Sequence, residues 1–227
     1  MSDEFKIGDS VVAKPNTKDV DLGGDLGGWQ GRIIDINQYE DAEARTILIE
    51  WDSITLRNMP ESVIIHCERE GLNWGEMGLF EHEVALTTAR DTEDDVAEAQ
   101  AELHDQYEWI GIADTEEMGR HIQAVVSSVN QHDMVAVLEA WDRHLRANLT
   151  FPFEAEVDEF QERGPFKAGD KLKVVSMSEC DDLYGVLIQA WFKRRKIHFP
   201  LCDLEVSDQK LPNHAFVAEY RFWFANR

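Results

Sequence analysis

Residues 151–205 constrain the fold more than any other stretch, because alternating apolar and polar runs there are cut short by turn chemistry before a helix could form. The stretch opens on Phe151-Pro152-Phe153 and continues into an acidic run, Glu154, Glu156, Asp158 and Glu159. It then passes a Gly169-Asp170 turn, an acidic loop (Glu179-Cys180-Asp181-Asp182), a basic run (Lys193-Arg194-Arg195-Lys196) and a Pro200-Leu201-Cys202-Asp203-Leu204-Glu205 close. Side chains alternate across a strand, so each short run can bury one face of a sheet and show the other to water. Strands this short, joined by turns rich in oxygen donors, predict a small β-barrel presenting carboxylates rather than an enzyme pocket.

The same order of landmarks occurs near the start. Phe5-Lys6-Ile7-Gly8-Asp9 matches Phe166-Lys167-Ala168-Gly169-Asp170 at four of five positions. Gly31-Arg32-Ile33-Ile34 stands where Gly185-Val186-Leu187-Ile188 does, and Pro60 before Val63-Ile64-Ile65 where Pro200 does before Leu204-Glu205-Val206. Strands are predicted at Val11-Val12, over 31–36, over 46–52, briefly between 53 and 60, and at 63–67, with a glycine-rich first loop over 19–28. Two barrels built on one plan follow from these landmarks.

Between them the period changes from two to that of a helix. Thr92 and Asp95 form a capping box, and Val96, Ala99, Leu103 and Tyr107 follow on one face. Asp114 and Glu117 repeat the capping pattern before Ile122, Val125, Val126 and Val129, and a third helix sets Val135, Leu138, Trp141 and Leu145 together. Residues 91–117 hold eleven carboxylates and no Lys or Arg, which reads as solvated helix faces with acids in first turns, where the helix dipole favours them. The expected class is α+β, mainly β: two small SH3-like or Tudor-like barrels, residues 1–90 and 150–227, joined by an acidic helical connector over 91–149.

Charge narrows the partners. Across 227 residues, 45 acidic and 22 basic side chains leave a net charge of −23, which repels nucleic acid and anionic membranes and concentrates cations. Expected partners are divalent cations or a basic protein. Cys67, Cys180 and Cys202 are too few for a disulfide framework, the start Met1-Ser2-Asp3-Glu4 leads into no apolar signal region, and no run approaches a membrane span. A cytoplasmic protein is therefore expected. The nucleophile-elbow, P-loop, dinucleotide and zincin motifs are all missing, so no catalytic residues are assigned. His198 and Cys202, four apart across Pro200, lack the further ligands zinc needs.

Calcium is better supplied, since it takes six to eight oxygens from carboxylates, loop carbonyls and water. The candidate ligands are Glu179, Asp181 and Asp182 in one loop, Asp203 and Glu205 after Pro200, and Glu154, Glu156 and Asp158 alternating along a strand. Weaker candidates are Asp19, Asp21 and Asp25; they open like an EF-hand, but Gly23 and Gln30 stand where that loop needs an oxygen ligand and a closing Glu.

The last 90 or so residues also resemble a known family. Trp141 with Leu145 and Leu149, Phe151-Pro152-Phe153-Glu154-Ala155, Gly185, Pro200-Leu201-Cys202-Asp203-Leu204-Glu205 and Tyr220-Arg221-Phe222-Trp223 are similar to the CcbP-type bacterial calcium-binding proteins. The resemblance implies an acidic, non-EF-hand calcium binder, a buffer or signal protein without catalysis. It also implies that the loop over 179–182 and Asp203 keep their acidic role. The alternative is an interaction protein, an adaptor or an immunity-like or nucleic-acid-mimicking inhibitor, whose acids at Glu93, Asp94, Glu98 and Glu102 occupy a basic partner.

Overall fold

The computed structural model describes residues 5–21, 23–37, 45–158 and 165–227. The acidic start Met1-Ser2-Asp3-Glu4 and Glu159 lie outside the described residues. Contacts along the chain cluster into two compact units, residues 1–112 and 113–227.

The first unit is built on five antiparallel strands: β1 (Ser10–Ala13), β2 (Gln30–Asn37), β3 (Thr46–Trp51), β4 (Glu76–Phe80) and β5 (Val84–Leu86). They lie in the order β4-β3-β2-β1-β5, with a 3₁₀ turn, Glu81–Glu83, leading into β5. Strand alternation sends Ile33, Ile47, Ile49 and Trp51 to the buried face. Three helices cover the rest of that core: α1 (Ser53–Arg57), α2 (Glu61–Glu70) and α3 (Glu93–Ile112).

The strands expected at 53–60 and 63–67 are helices instead. Asp52 caps α1 by accepting from the Thr55 amide at 2.7 Å, and Gly71, at φ 67°, ends α2 in the left-handed conformation that glycine reaches without Cβ strain. The β-branched run Val63-Ile64-Ile65 suits a strand by propensity, but tertiary burial decides: Ile64 and Cys67, three apart, bury one helical stripe. The sheet is completed by β4 and β5 further along the chain.

The second unit repeats the strand order. Its sheet runs β10-β6-β7-β8-β9, from β6 (Phe153–Val157), β7 (Lys171–Asp181), β8 (Gly185–Phe192), β9 (Arg195–Pro200) and β10 (Leu204–Val206), and a 3₁₀ turn, Leu201–Asp203, again precedes the last strand. Three helices pack with it: α4 (Glu116–Val126), α5 (Met134–Asn148) and α6 (Pro212–Asn226). α5 lies on β7 and β8, α6 on the 3₁₀ turn and β10, and α4 on both helices. Trp141, Tyr220 and Trp223, all at most 1% exposed, form the aromatic centre of this core.

Neither sheet closes into a barrel; among the described residues β4 and β5 are the edges of one and β9 and β10 the edges of the other. More described residues are helical than extended, so the class is α+β without the expected β majority. α6 accounts for part of the difference, since its dense aromatics carry no clear one-sided period. The capping box at Thr92 forms, its amide donating to Asp95 Oδ2 at 2.8 Å and its hydroxyl receiving the Asp95 amide at 3.3 Å. α4 is capped by Thr115 rather than Asp114, and Val135 is exposed rather than on the buried face of α5.

Candidate metal centre

The β7–β8 hairpin is held by Asp181, whose Oδ1 accepts the amides of Leu183 and Tyr184, both at 2.9 Å. This places Glu179, Asp181 and Asp182 at the tip of the two strands, with Glu179 and Asp182 exposed. The Cys202 thiol connects the tip to the 3₁₀ turn, reaching the Tyr184 carbonyl at 3.9 Å and Asp203 Oδ1 at 3.5 Å. The turn also contacts Asp158, whose amide donates to the Asp203 carbonyl at 2.9 Å. Arg221 of α6 binds both the Asp158 carboxylate and the Cys202 carbonyl, the latter at 3.1 Å.

Three of the eight candidate acids in this unit, Glu179, Asp181 and Asp182, therefore sit at the hairpin tip, while Asp203 and Asp158 sit at the 3₁₀ turn and at the end of β6 that lies beside the start of β7. The other three lie along the outward face of the sheet. Glu156 stands opposite Glu205 on β10 and opposite Lys171 on β7, with Lys171 Nζ 3.2 Å from its carboxylate, and Glu154 stands opposite Lys173. The two Glu–Lys pairs stabilise this exposed sheet face, whereas Glu205 opposite Glu156 is a like-charge pair that works against them. Among the described residues no three His, Cys, Asp or Glu side chains are grouped closely enough to hold a metal ion as they stand.

Two residues beside these acids went unassigned in the sequence. Arg221 sits inside the Tyr220-Arg221-Phe222-Trp223 motif, but only the folded chain brings its guanidinium to Asp158. Cys180 lies beside Asp142 of α5; burial of the thiol and the nearby carboxylate push it up to about 11, so at neutral pH it is a thiol, not a thiolate ligand.

The glycine loop of the first unit spends its acids on its own shape. Asp19 is buried and accepts the Asp21 amide at 2.8 Å, while Asp25 accepts the Gly27 amide at 2.9 Å and lies 3.5 Å from Lys18. The Gly27 amide, then Lys18, hold the Asp25 carboxyl below the usual range. Of the acids on the first half of α3, Glu98 and Glu102 face Arg57 at 3.6 and 3.1 Å, and Glu93 faces Arg32 at 4.0 Å. These are charges partly answered within the unit.

A larger polar network in this unit was not foreseen. Asp52 is held by Arg90 through two hydrogen bonds, at 2.5 and 2.9 Å, and Arg90 also reaches Thr55. Burial alone would raise the Asp52 carboxyl; Arg90 and the Thr55 amide outweigh it and hold it below its ordinary value. Beside it, Asp91 accepts the Ser53 amide at 2.6 Å. This network joins α1 to the segment before α3, and it leaves no cavity large enough for a ligand.

Comparison with known proteins bears on the second unit. A family model described as calcium binding, that of CcbP, matches residues 120–224. Among solved structures, a calcium binding protein in its calcium-binding form aligns at 17% identity over 50% of this chain and 93% of its own, with a TM-score of 0.42. Anabaena CcbP aligns at 18% identity over 50% of this chain and 94% of its own, also at 0.42. No curated protein matches the chain. The family match takes in α5 and most of α4 as well as the sheet and α6, so the C-terminal part of this chain, over residues 120–224, resembles the CcbP-type calcium-binding proteins.

Proposed function

We propose that the C-terminal unit binds calcium through the carboxylates at the β7–β8 tip and the adjoining 3₁₀ turn, chiefly Asp181, Asp182 and Asp203, as a non-enzymatic buffer or signal protein without an EF-hand. The observation that carries this reading is the match of residues 120–224 to a calcium-binding family, since all these acids lie within it. Carboxylates on a turn suit a hard cation that completes its shell with carbonyls and water. Because the acids are not grouped for an ion as they stand, ligation requires the tip and the turn to draw together. Neutralising crowded negative charge favours that movement. The strand order shared by the two sheets supports an SH3-like kinship for both, and a cytoplasmic setting fits the lack of any disulfide among the described residues.

Calorimetric titration of chelator-stripped protein, in physiological salt with excess magnesium to suppress loose ion condensation, tests the reading. The expected result is saturable heat with whole-number stoichiometry that is lost in Asp181→Asn/Asp182→Asn. Asparagine keeps an oxygen for the Leu183 and Tyr184 amides, so the turn survives while the charge goes. Heat that salt erases, or binding unchanged in the double variant, would refute it.

A further inference from the structure

Away from these carboxylates, α4, α5 and α6 line a solvent-open cavity of about 360 Å³. That volume is in the range of small-ligand sites, roughly 300–1,000 Å³. Ala124, Val125, Ala140 and Phe216 give it apolar walls. Into this lining α6 places Glu219, only 5% exposed, whose single hydrogen-bond partner among the described residues is His121 Nδ1 at 2.7 Å. A buried carboxylate ordinarily gathers several donors, because its desolvation must be offset. The His121 side chain is 54% exposed, so its imidazole covers the carboxylate from the solvent side and can swing away into water.

A second imidazole, His144 of α5, also lines the cavity, its ring 5.6 Å from that of Phe216. Burial holds its pKa below the ordinary value, so at neutral pH it adds no positive charge beside Glu219. A metal ion is the wrong occupant, since no three potential ligands among the described residues are suitably grouped. What the cavity lacks is a cation carried on an apolar body.

We propose that this cavity binds a small organic ammonium compound, its apolar stem against Val125, Ala140 and Phe216 and its ammonium group taking the place of His121 on the Glu219 carboxylate. The site shares no residue with the carboxylates assigned to calcium, and it stands or falls independently of them.

The full chain, kept in chelator, is titrated with benzylamine, benzyl alcohol and benzoate at neutral pH, followed by calorimetry and by amide and methyl shifts of Val125 and Ala140. Benzylamine should bind saturably, benzyl alcohol at least about tenfold more weakly, as the loss of a charge-assisted hydrogen bond implies, and benzoate not at all. Glu219→Gln should abolish the preference of amine over alcohol. Ala124→Leu, at an exposed wall position where the larger side chain fills the cavity without entering the core, should weaken both. No saturable binding of benzylamine to the unaltered protein would overturn the proposal. So would an amine preference that survives Glu219→Gln, or binding undiminished in a folded Ala124→Leu.

Discussion

Gly31 and Gly185 stood out in the sequence as strand openers, and the structure gives each a different reason. A Cβ on Gly31 would lie 2.2 Å from the Glu50 carbonyl oxygen of the neighbouring strand, so the constraint there is the close approach of two backbones. Gly185 has φ 69°, and a Cβ would meet Tyr220 Oη at 2.3 Å and the Phe224 ring at 2.4 Å. Gly185→Ala should therefore cost about 2–4 kcal/mol in urea unfolding, combining left-handed strain with overpacking. Tyr220 is the partner in that contact: its hydroxyl receives the buried Val186 amide at 2.7 Å, and burial drives its pKa far up. Tyr220→Phe strands that amide and should cost about 1–3 kcal/mol by the same measurement. Asp52 carries a pH signature. Its carboxyl is depressed below the ordinary 3.8, so its contribution is fully present above that value and is lost as pH falls through the lower folded value. Asp52→Asn, which keeps a helix-capping oxygen, should destabilise the first unit by about 1–2 kcal/mol at neutral pH. That difference should shrink as pH falls below 3.8 and vanish once the folded-state carboxyl is protonated, as read in amide-resolved unfolding of the first unit.

At the scale of elements, the Gly-Asp turn of the sequence repeat recurs in local geometry but is displaced in topology, and the Pro60 and Pro200 landmarks diverge, one leading into a helix and the other into a 3₁₀ turn and strand. The Lys6 amide donates to Asp9 Oδ2 and the Lys167 amide to Asp170 Oδ2, both at 2.9 Å, with Gly8 at φ 92° and Gly169 at 85°: one turn made twice. In the first sheet that turn leads into the first strand, β1, whereas in the second it leads into the second strand, β7. The landmarks thus pair β1 with β7, while the shared strand order pairs β1 with β6. Turn chemistry depends on four or five residues and is readable locally; strand order depends on which edges meet, which local residues do not encode. The start of α3 was legible from Thr92 and Asp95, whereas the caps Asp52, Thr115 and Asp133 were not assigned in the sequence. Asp133 accepts the Val135 and Ala136 amides at 3.1 and 3.2 Å, so Asp133→Ala should cost about 1 kcal/mol, measured as thermal stability of the second unit.

For the whole molecule, the net charge of −23 is distributed over two units with separate cores. If calcium is held as proposed, a concentration one hundred times the dissociation constant adds about 2.7 kcal/mol of stability. In amide-resolved melting this gain should appear in residues 113–227 and leave residues 1–112 unmoved; an equal shift in both would point to general charge screening. Limited proteolysis addresses domain organisation, with the segment around 112–115 expected to be cut before the helices on either side of it. By itself the sequence determined the acidic character, the turns, the capped helices of the middle segment, the aromatic stock of the second core and the family likeness of the C-terminal part. Each of these rests on residue types or on contacts within a few positions. Tertiary structure alone decided that 53–57 and 61–70 are helical, that the sheets stay open, and that Arg221 reaches Asp158. It also decided that the candidate acids divide between a hairpin tip, the 3₁₀ turn beside Asp158 and a sheet face, and that Glu219 lies in an apolar cavity facing His121. The physical reason is common to all of these: burial and charge pairing are settled between residues far apart in the chain, where short-range propensity has no say.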